Sequence, residues 1–432
     1  MTAIVSVTGV LLGIAGLTIA AGLALYLASR PKAALVFWLF ILCVAPFWLQ
    51  IPGGISIPPS SIATLIVLPS VLKARPKDKV AGIDYVLILT AILAILAAAV
   101  RLSPQYAASA LVVQWATAFF VARRLGYSLG RSFVTDVVAM AGMLVAVWAI
   151  VEFALKLHVY ENVGTSLDLG FWAEIQIRGG LARSEAGFGH AIALGGFLAA
   201  TVPFVMSSRY RFRLPMTAIV IGGTVATLSR GPMLSAIVAV VLAVAFLAKG
   251  ISTAVRFWTV IAGSVIAIFA LPPLLQKFGE ISEELDPSTA YRENLWTDIP
   301  GDLNWIGQAR NVGIDSAGRS LWRNLGSVDS TPLLIGLDFG WIIVGMFTAC
   351  IVVACWRVLR RKGSVAEVAI VAQLPTLATV ALITQYGAAV WFFAGLAVAY
   401  RHPEGDGDDE PEDQRSNAVK SSAIGPAILR DE

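Results

Sequence analysis

Apolar residues fill this chain in runs of roughly bilayer length, broken by polar connections. The runs lie near 4–28, 33–50, 56–72, 83–100, 106–122, 133–155, 187–207, 213–228, 232–248, 254–275, 331–356, 364–383 and 387–400. A helix needs about 20 apolar residues to cross the hydrocarbon of a bilayer, and these runs approach that length. The pattern predicts an all-α polytopic membrane protein with about 12 or 13 transmembrane helices, depending on whether the last two runs are one bent helix. Most connections are short, but those at 156–186 and 276–330 are long.

The polar positions between the runs set an orientation. Lys and Arg gather at Arg30 to Lys32, Lys73 to Lys79, Arg123 to Arg131, Arg209 to Arg213, Lys249 to Arg256 and Arg357 to Lys362. These fall at every second connection, so the basic side is the cytoplasm and the two long loops are extracytoplasmic. Residues 1–401 read as the membrane domain, and 402–432, rich in Glu and Asp, as a disordered acidic cytoplasmic tail. Ile4 to Ala28 has no basic leader and is long enough to span, so it reads as a helix and not a signal peptide.

Composition agrees: 57% of residues are hydrophobic and 14% are charged, against about 25% charged in a soluble chain. The net charge of +4 is then a matter of topology, and no nucleic-acid partner is implied. Cys43, Cys350 and Cys355 lie in or beside apolar runs, and His158, His190 and His402 are scattered. Neither a disulfide framework nor a metal-binding spacing is present, and no cofactor is expected.

Against this background one polar turn stands out, Thr227-Leu-Ser-Arg-Gly-Pro-Met233. It puts Arg230 at the extracytoplasmic face, against the charge bias. A charge beside hydrocarbon is costly and marks a candidate site. Pro232 suits the first turn of a helix capped by Ser229 or Gly231, whose positive N-terminal end favours an anion such as phosphate. The alternative is an arginine that only anchors the turn.

Two further helices are expected to start at the same face. Arg183-Ser-Glu-Ala-Gly-Phe-Gly-His190 leads into one that opens at Gly187, with His190 in its first turn. Ser327-Val-Asp-Ser-Thr-Pro332 leads into another at Thr331, with Asp329 or Ser330 as cap. In the loop between, 287–296 reads as a short helix that turns Arg292 to a cleft. Trp296, Trp305 and Trp322 read as interface anchors or as sugar-stacking rings. Three helix starts, with Arg183, Arg230 and Asp329 ahead of or within them, outline an outward cleft for an anionic lipid head group.

Arg183 to Leu198, Thr227-Leu-Ser-Arg-Gly231, the Tyr291-Arg292 helix and Ser327-Val-Asp-Ser330 before Leu337-Asp-Phe-Gly340 occur in that order. In this order and spacing the chain resembles the O-antigen ligase/O-antigen polymerase superfamily of bacterial membrane glycosyltransferases. The resemblance implies a GT-C-like helical fold in the bacterial cytoplasmic (inner) membrane. It also implies transfer of a glycan from an undecaprenyl-diphosphate carrier to an acceptor hydroxyl on a glycan or lipid, without metal. On that resemblance Arg230 and Arg292 hold the diphosphate, with Arg183, Ser229 and Gly231 in the same substrate-binding set. The ligases carry a histidine near the end of the large loop as candidate base. This chain has Asp329 there instead, which favours a polymerase or another glycan-transfer relative. Asp329 and His190 are the candidate bases. A multi-span transporter of an organic anion or lipid-linked glycan is the alternative, against which stands the scarcity of charge within the spans.

Overall fold

The computed structural model describes residues 7–49, 57–74, 82–161, 163, 174–247, 252–254, 257–258, 261, 295–314, 320–323 and 328–401. Among them the chain is mostly helical. In order come α1 (Val7–Leu27), α2 (Pro31–Val44), α3 (Pro59–Lys73), α4 (Gly82–Ala99), α5 (Gln105–Ser109), α6 (Thr117–Ser128) and α7 (Arg131–Leu155). Then follow α8 (Ala191–Ser207), α9 (Arg213–Ala226), α10 (Arg230–Leu242), α11 (Thr331–Phe339), α12 (Trp341–Leu359), α13 (Val365–Ala372), α14 (Leu374–Thr379) and α15 (Thr384–Ala399). A π-helical stretch, Ala110–Ala116, joins α5 to α6, and another, Ala243–Leu247, prolongs α10. Pro31, Pro59, Pro332 and Pro375 stand in the first turns of α2, α3, α11 and α14. There the fixed φ helps and the missing N–H costs nothing.

Among the described residues, five helical stretches are long and apolar enough to cross a membrane: Gly82–Ala99, Gln105–Ser128, Arg131–Leu155, Arg230–Leu247 and Trp341–Leu359. Seven shorter apolar helices of 10–17 residues accompany them. Large apolar side chains on α1, α4, α7 and α12 point outward, among them Leu17, Ile19, Ile88, Leu144, Val352 and Trp356. In water so much exposed apolar surface would drive association, whereas a bilayer solvates it at no cost.

The centre of the bundle is formed by α8 and α15. Ala191 and Ala193 to Val205 are all buried, and so is α15 except Ala394. A helix apolar on every side belongs in such a position. Close approach depends on small residues: a Cβ at Gly195 would lie 2.7 Å from Pro232 Cβ and 2.8 Å from Thr227 Oγ1. Without side-chain bulk the α8 backbone presses directly on the turn that begins α10.

Several expectations need correction. The run 331–356 is not one span. Gly340 adopts φ 87°, ψ 178° and divides it into the nine-residue α11 and the 19-residue α12. A side chain there would collide with the Asn304 carbonyl, whose oxygen lies 2.6 Å from where a Cβ would stand, so only glycine fits. The run 364–383 divides into α13 and α14, and extended Val380 separates α14 from α15. The last two runs are therefore not one bent helix. α8 starts at Ala191, not at Gly187, because His190 is still extended. The fold is also not purely helical. Ile177–Arg178 pairs with Leu181–Ala182, and Val312–Ile314 pairs with Ser320–Trp322, both antiparallel. The first hairpin turns at Gly179-Gly180, both with positive φ, as a two-residue turn requires.

Residues 295–302 are helical, through Pro300. Of the short helix expected over 287–296, only Leu295 and Trp296 are among the described residues, and the helix does not end at Trp296. Leu295 and Ile299 join Trp322, Val328, Leu333 and Leu337 in a second, smaller core. Trp322 is thus a core residue and not an interface anchor, and its Nε1 donates to Asp302 at 2.8 Å. Trp296 and Trp305 are exposed. Most of run 254–275 and the tail 402–432 lie outside the described residues.

Candidate functional site

The loop after α7 folds back onto the bundle along the segment 174–190. Glu152, in the last turn of α7, organises the fold-back. Its carboxylate accepts the Glu185 N–H at 2.7 Å and the Ala186 N–H at 3.1 Å, and meets His158 Nδ1 at 3.2 Å. Ala186 holds φ 46°, which points both amides at one acceptor. Ser184 is buried, with its hydroxyl donating to the Ala149 carbonyl at 2.6 Å and its N–H to the Ala226 carbonyl at 3.2 Å. Burial opposes charge on His158, but the bond and charge of Glu152, with help from Glu185 and Glu161, outweigh it and leave its pKa raised.

Two arginines on this segment grip the turn between α9 and α10. Arg183 donates from Nε to the Thr227 carbonyl at 3.0 Å and from Nη2 to Ser229 Oγ at 2.7 Å. Arg178 donates to the Leu228 carbonyl at 3.0 Å. These carbonyls end α9 and lack partners within the helix, so a guanidinium fork is a fitting cap. Burial, then the neighbouring Arg178, brings the Arg183 pKa down to about 10, leaving it charged near neutrality. Leu228 sits at φ 49°, an uncommon conformation for a leucine.

Ser229 is the N-cap residue of α10, as the sequence suggested, but its side chain does not cap the helix. Its hydroxyl is spent on Arg183 and on the Thr227 carbonyl, 3.1 Å away. Arg230 is the first helical residue, and Gly231 packs its backbone against α14, where a Cβ would lie 2.8 Å from Thr379 Oγ1. One turn on, Ser235 and Thr376 join their hydroxyls at 2.7 Å.

The start of α11 reaches the same neighbourhood. Thr331 Oγ1 donates to the Val380 carbonyl at 2.6 Å, immediately after α14. Ser330 is its N-cap residue and, like Ser229, makes no capping bond. Asp329 precedes it, half-buried, and is not itself the cap. From the other side, Gln385 at the start of α15 donates to the Gly187 carbonyl at 2.6 Å and the Ala45 carbonyl at 2.8 Å. The N-termini of α8, α10, α11 and α15 thus meet around residues 376–385, at one end of the bundle.

His190 caps α8 with its ring. Nδ1 accepts the Ile192 N–H at 3.1 Å, which assigns the neutral tautomer with its proton on Nε2. Burial, then the charge of Arg183, pushes its pKa down to about 3. With its lone pair committed to the backbone, His190 is set up to donate a hydrogen bond more readily than to take a proton.

Of the residues singled out by sequence, Arg183, Ser229, Arg230 and Gly231 come together, and Asp329 arrives through α11 and Val380. Arg292 lies outside the described residues. Sequence reading did not assign Arg178, Gln176, Glu152 or Gln385 to the site. Glu152 carried a signal, as a carboxylate at the end of an apolar run; Gln385, a neutral polar residue between two runs, carried none. Among the described residues no group of three or more His, Cys, Asp or Glu is placed to hold a metal. No family model, curated protein or solved structure matches the chain, so the likeness to the O-antigen ligase/polymerase superfamily rests on the short motifs alone.

Proposed function

We propose that the chain transfers a glycan from an undecaprenyl-diphosphate carrier to an acceptor hydroxyl, at the extracytoplasmic face of a bacterial inner membrane, as a polysaccharide polymerase or ligase with a GT-C-like fold. The observation that carries the reading is the pair of uncapped helix starts. α10 and α11 begin at Ser229 and Ser330, residue types that ordinarily cap, yet neither side chain does. Their first-turn N–H groups and positive dipole ends then favour a phosphate, with Arg230 in the first turn of α10. A lipid carrier suits a polar site at one end of a bundle whose flanks are apolar.

On this reading Arg230 and Arg292 hold the diphosphate and stabilise its growing charge as the sugar departs. Asp329 takes the proton from the attacking hydroxyl. A single displacement breaks the bond from the anomeric carbon to the diphosphate oxygen and inverts the anomeric centre. The test uses protein purified in detergent and a synthetic lipid-diphosphate glycan donor. Arg230→Ala is expected to reduce transfer roughly ten- to a hundredfold, the loss of one charge-assisted contact worth about 1.5–3 kcal/mol. Arg230→Lys should also impair transfer, since lysine lacks the planar fork. Arg292→Ala should resemble Arg230→Ala, and the pair should be less than additive. A monodisperse Arg230→Ala protein that transfers at the parent rate would refute the assignment.

A further inference from the structure

A continuous relay connects a fully buried carboxyl group to the turn that bears Arg230. Glu185 has no solvent exposure. Its Oε1 accepts the Gln176 N–H at 3.2 Å. Gln176 Oε1 in turn accepts from Arg183 Nη1 at 2.8 Å, and the Gln176 carbonyl accepts the Arg183 N–H at 2.9 Å. Arg183 then reaches Thr227 and Ser229. Glu185 Oε2 is buried without a hydrogen-bond partner. A buried carboxylate oxygen with no donor is costly, whereas a neutral carboxyl is tolerated far better.

We propose that Glu185 is a positioning residue for the Ser229-Arg230-Gly231 turn, acting through Gln176 and Arg183, and that the turn is held firmly while Glu185 is neutral and loosens when it ionises. The proposal rests on the reading of that turn as the diphosphate site. The charged groups facing Glu185 are Glu152 from α7, His158 from the segment after it, and Arg183 from its own segment. α9 and α10 present to this segment the carbonyls of Ala226, Thr227 and Leu228 and the Ser229 hydroxyl. Burial, with a smaller contribution from Glu152, pushes the Glu185 pKa from 4.5 up to about 7, against the opposing effects of the Gln176 N–H, His158 and Arg183.

The sign follows from linkage. A carboxyl that holds its proton more tightly in the closed state than in the opened one favours closure fully below pH 4.5. That advantage is lost as pH rises, until it levels off near 7. His158 acts in the same direction, but only above its ordinary value of 6.5. The two groups therefore separate between about pH 5 and 6.5.

The experiment is hydrogen–deuterium exchange of residues 226–233 in the full-length protein in detergent, corrected for intrinsic exchange, from pH 5 to 6.5. The parent should open about tenfold more readily per pH unit. Glu185→Gln should show a flat profile. Should Glu185→Gln fail to fold, Gln176→Leu removes the side-chain link from Gln176 to Arg183 without touching a charge, while the main-chain bonds of residue 176 to Glu185 and Arg183 remain. It should loosen 226–233 at every pH and weaken the dependence. A parent with no pH dependence in this segment, a Glu185→Gln protein that keeps it, or a Gln176→Leu protein with the parent's exchange at every pH, overturns the proposal. Binding of undecaprenyl diphosphate by parent and Arg230→Ala, measured in parallel, keeps the two ideas apart. Equal binding by these two proteins removes the diphosphate reading of the turn and with it the role given to Glu185, whatever the exchange shows. Unequal binding with pH-independent exchange removes the relay alone.

Discussion

Asp329 and Arg230 differ in how their roles can be tested. Asp329 stands one residue ahead of the N-cap, so it does not hold α11 in place by capping. Asn would keep its size and much of its hydrogen bonding. Asp329→Asn is therefore expected to reduce glycan transfer by about a hundredfold or more, the usual scale for removing a general base, while donor binding persists. Transfer by the Asn protein at near the parent rate would dismiss Asp329 as the base. Sequence went some way at this scale. Ser229 and Arg230 stand out as polar residues between two apolar runs, Gly231 is their neighbour, and Arg183 precedes another helix expected at the same face. What Arg183 does with its charge could not be read. Its partners are the Thr227 carbonyl, the Ser229 hydroxyl and the Gln176 side chain, and a backbone acceptor leaves no mark on the identity of the residue that carries it. The capping role of the His190 ring was hidden for the same reason.

The turn before α10 keeps its shape because α8 comes so near. Pro232 and the Thr227 hydroxyl already occupy the space that a Gly195 side chain would take. Gly195→Val is expected to destabilise the protein by about 1–3 kcal/mol, as overpacking usually does, and to displace the turn. A lower melting temperature in detergent, together with weaker binding of the lipid-diphosphate donor, would be the observed result. An unchanged melting temperature would mean that α8 can move away from α10. Helix positions were legible from hydrophobic length, since the apolar runs and the helices largely coincide. The breaks were less so. Gly340 lies within an apolar run interrupted only by Asp338, and hydropathy takes no notice of a positive φ; its packing against Asn304 marks it as a stop. The hairpin at Gly179-Gly180 was not anticipated, because its strands are two residues long, too short for an alternating pattern to register.

For the molecule as a whole, the charge pattern predicts that the 174–190 segment and the 295–314 region share the extracytoplasmic side, opposite the α12–α13 connection. Ile177 and Trp305 are exposed in the former two and Lys362 in the last. Cysteines at Ile177 and Trp305 should react with a membrane-impermeant thiol reagent in cells whose outer barrier has been opened, and one at Lys362 should not. The reverse pattern would invert the topology and remove the site from the face where a lipid-linked glycan is expected. The order in which helices occupy the bundle has a consequence of its own. α8 is buried on all sides, but part of what encloses it, α13 and α15, is made more than 150 residues later in the chain. While the ribosome works through the intervening segment, those faces of α8 must be tolerated by lipid. That accounts for a central helix with no charged residue from Ala191 to Ser207. That part of assembly waits for α15, which packs against both α6 and α8. A nascent chain that stops short of Thr384 would hold its earlier helices together but leave the faces of α6 and α8 that pack on α15 uncovered.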